Sequence, residues 1–345
     1  MYSTRVGVDL AKNVIQVCVV KRNKVLSNTE MTPEQFMLWL MNAKPATIVF
    51  EACGTSNYWK QTALKAGHDA RLISAKLVAT IRQNQKTDKN DALAIIQASQ
   101  LNSIHFINGK STTQQELQSV MRMRELAVKQ KVALNNQIKA LLLEFNIRIF
   151  SKDGGISRTV QHVLEDAENG FCMEFRCALD IAWNSFLSLV KNVDKYDDLL
   201  GELVESHTDC KKIMALEGVG VINAVGLYIK LCSEEDGAFG KGRDASACIG
   251  LTPIQYSSGG KVKLGSISKT VRDSSMRSNL VTGAMSFIQH VVKREPKTTK
   301  ELWVQRLVER RGKRCAAVAL ANKTVRTAFA MLAKGTEYQA QPLTG

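Results

Sequence analysis

Four carboxylates and one serine carry the chemistry legible in this chain. Asp9 lies inside the β-branched run TRVGVDLA, between Val8 and Leu10. An acid in a buried strand is costly unless something binds it. Glu51 ends the apolar run TIVFE, where the chain gives way to a Gly-containing turn. Asp88 and Asp91 begin a helical stretch, KTDKNDALAII, and their spacing puts both carboxylates on one helix face. Asp88 also reads as a simple N-terminal cap, and each acid taken singly is more often structural than catalytic. Together, two strand-borne carboxylates and a helix-borne pair can converge on two divalent cations about 4 Å apart. Such a clamp activates a nucleophile and steadies a leaving oxygen in phosphodiester transfer. Carboxylate oxygens select hard Mg2+ or Mn2+, and this arrangement of acids is that of a ribonuclease-H fold.

The second constellation is IGLTPIQYSSGGKVKLGSISK, residues 249–269. Ser257 and Ser258 precede Gly259-Gly260, and Lys261, Lys263 and Lys269 follow. Glycines let a backbone approach a phosphate closely. Adjacent lysines stabilise charge on a phosphate under attack, and a serine so placed could form a covalent phosphoserine link. Taken alone, the motif fits a phosphate-contacting turn better than a nucleophile. A further phosphate-contacting candidate is MALEGVGVINAVGLYIK, where Gly218 and Gly220 lie between apolar helical segments in the layout of a helix–hairpin–helix.

Charge supports a polyanionic partner. The 345 residues include 47 Lys and Arg against 32 Asp and Glu, a net +15. Residues 1–110 carry net +7, residues 111–205 net −3, and residues 206–345 net +11. Two basic blocks flanking an acidic middle suggest two surfaces that meet nucleic acid and a connector that does not. Hydrophobic residues make up 45 %, enough for a core. No apolar run reaches the roughly 18 residues that span a bilayer, and the N-terminus lacks a secretory layout. A cytoplasmic protein without membrane partners is expected. The eight cysteines form no zinc-type pairs, and their apolar contexts suggest buried free thiols.

These residues need a scaffold. Residues 1–110 read as three strands followed by alternating helix and strand, an α/β domain with a mixed sheet. Residues 111–205 read as a helical insert. One amphipathic helix covers 114–146, with Leu117, Met121, Val128, Val132, Ile138, Leu142 and Phe145 along one side, and a loop with Gly154-Gly155 follows. A second helix carries Phe175, Leu179, Ala182, Phe186, Leu189, Val193, Tyr196, Leu200 and Leu203 at alternating spacings of four and three. That pattern predicts a coiled coil, either an antiparallel hairpin or a dimer seam. Residues 206–345 read as mainly α-helical, with a nearly all-apolar final helix at 315–334 that should be buried.

GVDLAK, FEACGTSNYW, KTDKNDA, GVGVINA, IGLTPIQYSSGGK, ISK and VALANKTVR occur in that order along nearly the whole chain. The series resembles the DEDD transposases of insertion sequences, in the IS-one-ten family, eleven-eleven subgroup, related to the pilin-gene invertases. The resemblance implies an N-terminal RuvC-like domain, a coiled-coil insert and a C-terminal transposase domain. It implies that Asp9, Glu51, Asp88 and Asp91 form the metal site and that Ser258 is the nucleophile, with Ser257 its neighbour. It further implies double-stranded DNA of element ends and target as substrate, and an RNA encoded by the element as guide. The chain departs from the family pattern at Ile254, where arginine is usual, and at Thr270-Val271-Arg272-Asp273, where Arg-Gly-Asp is usual after ISK. A transposase holding two DNA partners is expected to be a dimer or tetramer and to act at the bacterial nucleoid. The competing expectation is a RuvC-like metal-dependent nuclease without a serine intermediate. A degenerate nucleic-acid-binding protein is disfavoured because all four acids are present.

Overall fold

The computed structural model describes residues 4–102, 104–150, 155–232, 239–269, 271 and 274–343. Gly154, Thr270, Arg272 and Asp273 fall outside them. The chain divides into two compact units, one formed by Met1–Ser111 and the other by Thr112–Cys232 with Phe239–Gly345. The helical insert and the basic C-terminal region thus belong to one unit.

The first unit is a five-stranded sheet with helices on both faces. Its elements are β1 (Thr4–Leu10), β2 (Ile15–Lys21), β3 (Lys24–Met31), α1 (Pro33–Asn42), β4 (Thr47–Glu51), α2 (Ser56–Lys65), β5 (Asp69–Ile73), α3 (Ala75–Ile81) and α4 (Asp88–Ser99). The sheet order is β3-β2-β1-β4-β5. The first three strands are antiparallel, while β4 runs parallel to both β1 and β5. Arg22 and Asn23, both at positive φ, make the tight β2–β3 turn, the conformation that suits a two-residue hairpin. Helix α1 starts where the sequence places Pro33, and Thr32 and Gln35 close a capping box around its first turn. This mixed sheet is consistent with the RuvC-like expectation.

Alternation along the strands decides which side chain meets which helix. Val6, Val8, Ile48 and Phe50 pack with Phe36 and Leu40 of α1 and with Trp59 and Ala63 of α2. The intervening positions face α3 and α4: Val49 packs with Ile95, and Cys18 packs with Ala92 and Ile96.

The second unit is helical apart from one hairpin. It comprises α5 (Thr112–Glu144), α6 (Gly155–Glu165), α7 (Met173–Ser206), α8 (Thr208–Met214), α9 (Val221–Leu231), α10 (Gly242–Ile249), β6 (Pro253–Ser258), β7 (Lys261–Ile267), α11 (Ser274–Val291) and α12 (Thr299–Lys334). Helices α5 and α7 pair antiparallel within the chain. Leu117 packs with Leu200 and Val204 at one end, and Ile138 and Leu142 pack with Leu179 and Trp183 at the other. All nine positions of the α7 stripe are buried or half-buried. Val132 and Phe145 on α5, expected in the same seam, are about half exposed. Helix α6 occupies part of the region expected to be loop and packs Val160 and Val163 against the far end of the pair.

Two further expectations are corrected here. Only Cys18 and Cys210 are buried, whereas Cys53, Cys172, Cys177, Cys248 and Cys315 are exposed. Apolar neighbours in sequence do not by themselves bury a thiol: Met173, beside Cys172, is itself 70 % exposed. The 315–334 segment is buried on one side only, through Ala316, Ala317, Leu320, Ala321, Val325 and Ala328. Its other side, with Cys315, Lys323, Arg326, Ala330 and Ala333, is exposed.

Candidate active site

Strand parity brings the acids together. Asp9 follows Gly7 on the α4 side of β1, and Glu51 follows Val49 on the same side of β4. The parallel register pairs Val8 with Phe50, so Asp9 and Glu51 are the next residues out on adjacent strands. Neighbouring strands lie about 4.8 Å apart. Helix α4 starts at this end of the sheet, with Asp88 and Asp91 in its first turn. Gly7 allows the close approach: a Cβ there would lie 2.2 Å from the Ala92 carbonyl oxygen and 2.7 Å from Ile96 Cγ1.

The helix-borne acids are not equivalent. Thr87 caps α4 by accepting from the Asn90 N–H at 3.3 Å, so Asp88 is not the cap. Asp88 is exposed, and Asp91 is buried. Arg82 Nη1 donates to Asp91 Oδ1 at 2.7 Å. Burial, then the charges of Asp91 and Asp88, raise the Asp9 pKa; the Leu10 backbone N–H and Lys86 pull it down. Burial likewise raises that of Glu51, followed by Asp9 and Asp91, with Lys86 and Arg82 opposing. The four carboxylates therefore share one electrostatic neighbourhood.

Among the described residues, no three His, Cys, Asp or Glu side chains are gathered closely enough to grip one ion. The donor chemistry nonetheless fits a hard divalent cation. Every candidate ligand is a carboxylate oxygen, and the mutual repulsion that adds to burial in raising Asp9 and Glu51 is what a cation would relieve.

Sequence reasoning missed the supports of this site. Gln16, opposite Asp9 in the β1–β2 register, is buried. Its Nε2 donates to Asn28 Oδ1 at 2.8 Å, and Asn28 Nδ2 donates to the Lys89 carbonyl at 3.0 Å. This chain ties the first turn of α4 to the sheet. Gln16 Oε1 is buried without a hydrogen-bond partner. Gln16 lies in no motif, and Gly7, although it opens GVDLAK, carries no chemistry of its own; strand parity relative to Asp9 was the available signal.

The serine motif forms a β-hairpin. Gly259 and Gly260 have φ of 55° and 75°, as the two-residue turn of a twisted hairpin requires. Register pairs Ser258 with Lys261 and Tyr256 with Lys263, while Ser257 pairs with Val262 and Gln255 with Leu264. Paired residues share a sheet face. Ser258 therefore lies on the face of Lys261, Lys263 and Tyr256, and Ser257 lies on the other. Gln255 Nε2 donates to Ser257 Oγ at 2.9 Å. Every residue of β6 is exposed, and Ser258 is at its tip. Lys269 lies beyond the end of β7 and is exposed.

Gly218 and Gly220 do lie between two helices, α8 and α9. Gly218, at φ 74°, packs backbone to backbone on α11: a Cβ there would lie 2.8 Å from the Gly283 oxygen. Its smallness is thus used for helix packing. Gly220 is the exposed N-cap residue of α9. Beside Gly218, Glu217 accepts from the buried Lys300 Nζ at 2.6 Å and from Tyr338 Oη at 2.5 Å. This buried polar cluster was not legible in the sequence.

Comparison with known proteins matches this layout along the chain. Residues 6–147 match the DEDD-type transposase domain of IS110 elements, and residues 210–300 match the transposase domain of the IS116/IS110/IS902 family. The transposase for insertion sequence element IS1111A of Coxiella burnetii is 31 % identical over 334 residues, covering 96 % of this chain and 90 % of that protein. The transposase for insertion sequence element IS1328 of Yersinia enterocolitica is 28 % identical over 336 residues, covering 97 % of this chain and 98 % of its own. No described helix is long and apolar enough to cross a membrane. The chain, with its acids at one sheet end and its serine on a basic hairpin, belongs to the IS116/IS110/IS902 family of transposases.

Proposed function

We propose that this protein cuts and rejoins the DNA of an insertion sequence, using Ser258 as nucleophile and Asp9, Glu51, Asp88 and Asp91 as the ligands of Mg2+ or Mn2+. The observation that supports this reading is the placement of the acids at one end of the sheet. Two sit on neighbouring parallel strands, on the face covered by the helix that supplies the other two. A bound divalent cation there supplies charge stabilisation for a phosphodiester in transition.

The hairpin supplies the covalent step. Ser258 Oγ attacks phosphorus, a phosphoserine bond forms, and the bond to a deoxyribose oxygen breaks. That oxygen leaves with a proton as a hydroxyl. Lys261 and Lys263 on the same face as Ser258 offset the negative charge building on the phosphate. Attack by the freed hydroxyl of a second strand reverses the step and rejoins DNA. The partners in this reading are element-end and target DNA, a guide RNA encoded by the element, and further copies of the chain in a dimer or tetramer.

Incubation with a nicked DNA substrate tests the serine, because the nick lets the covalent intermediate accumulate. The expected result is a protein–DNA adduct that survives denaturing electrophoresis and disappears in Ser258→Ala. Full strand exchange by Ser258→Ala would instead establish a metal-and-water nuclease of RuvC type.

A further inference from the structure

The outward face of α12 lines a groove that the reading above leaves unused. Cys315, Ala319, Asn322, Arg326, Ala330 and Ala333 recur along it at steps of three and four, which places them on one helix side. The start of α10 and the base of the β6–β7 hairpin, through Pro253 and residues 265–267, complete the walls of a space of about 1400 Å3.

The lining has two properties. Among the described residues it carries six cations, Lys241, Arg243, Arg314, Lys323, Arg326 and Lys334, and no acid. The remaining surface is dominated by apolar groups such as Val318, Phe329 and Trp303, with the Lys323 ammonium 4.7 Å from the Trp303 ring centroid. At one end α12 breaks at Gly312, with φ 79° and ψ 164°. Arg310, Arg311 and Lys313 are exposed at that break and extend the basic rim beyond Arg314.

Each candidate occupant can be judged by this chemistry. Duplex DNA presents phosphates but keeps its base faces stacked, so it would leave the apolar floor uncovered. A second copy of this chain would bring further positive charge, at net +15. An unpaired strand presents phosphates for the rim and open base faces for the floor, the combination single-strand grooves use. The groove wall also continues into the serine hairpin. Strand β6 runs from Pro253 at the groove to Ser258 at its tip, about 17 Å at the rise of a β-strand.

We propose that this groove holds an unpaired stretch of the DNA strand delivered to Ser258, with bases on the apolar floor and phosphates on the six-cation rim. The choice of DNA rests on the serine reading above; the groove's affinity for a single strand does not depend on catalysis.

The test uses the full chain and a short fluorescein-labelled single-stranded oligodeoxynucleotide, followed by anisotropy across a salt series. Arg314→Ala/Arg326→Ala is expected to reduce the salt slope by about 1.4, at roughly 0.7 per phosphate contact on a single strand. Ala330→Glu places a charge at an exposed position, sparing the fold, and is expected to weaken binding at least tenfold. Ser258→Ala is expected to bind like the wild type, so loss of the covalent adduct and loss of groove binding are separate results. Site-resolved alkylation supplies a second readout: single-stranded DNA should shield Cys315 and leave Cys177 on α7 reactive. The proposal is overturned if both groove variants bind the oligonucleotide with wild-type affinity and salt slope. It is also overturned if a matched RNA or duplex occupies the groove more tightly, or if Ala330→Glu shifts the oligomeric state instead of binding.

Discussion

Gly7→Ala is the most direct probe of how the acids are assembled. The added methyl would sit 2.2 Å from the Ala92 carbonyl oxygen and 2.7 Å from Ile96 Cγ1. Ordinary contact starts at 3.4 Å, so relief needs β1 and α4 to part by about 1 Å, an overpacking strain of ~1–3 kcal/mol. In a unit of about a hundred residues that corresponds to a fall in Tm of roughly 4–24 °C. The retreating helix carries Asp88 and Asp91 with it, and a displacement of ~1 Å at a catalytic group can reduce turnover about 100-fold. Thermal unfolding monitored at Trp39 and Trp59, together with a DNA strand-exchange assay, reads both effects. Ile96→Ala in the same chain relieves only the side-chain contact and leaves the carbonyl clash, so it should not restore activity. Wild-type Tm and wild-type strand exchange in Gly7→Ala would refute the close-approach argument.

Other expectations follow from single features. The raised Asp9 pKa means the folded state holds its proton more tightly than the unfolded chain, so its contribution to stability falls as pH rises above the ordinary value of 3.8. Asp9→Asn should therefore raise the metal-free Tm at pH 7 and have no effect below about pH 3, and Mg2+ should raise the Tm of the wild type more than that of the variant; an unchanged pH profile contradicts this. Glu217→Ala strands the buried Lys300 ammonium and should lose about 3–5 kcal/mol in urea unfolding, whereas Glu217→Ala with Lys300→Met should recover part of it. Gly201 in α7 faces open space, so Gly201→Ala should add about 0.5–1 kcal/mol; destabilisation would mean that another surface packs on α7 at that position. Mixed Asp9→Ala and Ser258→Ala subunits should regain partial activity if acids and serine from different chains form one site. No recovery under proven subunit exchange rules that out.

The secondary structure of the first unit was legible because its signals are local. β-branched runs mark β1 and β2, a continuous apolar run marks β4, and Pro33 marks the start of α1. The α7 stripe was legible for the same reason, since a repeat of three and four residues is a property of one helix. Its partner was not, because a stripe states that a surface must be covered without saying by what; the structure supplies α5 of the same chain. The acid positions followed from motif and resemblance, yet the choice of Arg82 as the partner of Asp91 depended on side chains meeting in space. Ser258 and Ser257 are adjacent in sequence, and hairpin register alone put the lysines on the side of Ser258. The last helix shows the limit most clearly. Composition gives the mean polarity of residues 315–334, but burial depends on which azimuth another element occupies. With α10 and α11 packed on one side, the side carrying Cys315, Asn322, Arg326 and Ala330 was left facing a basic groove.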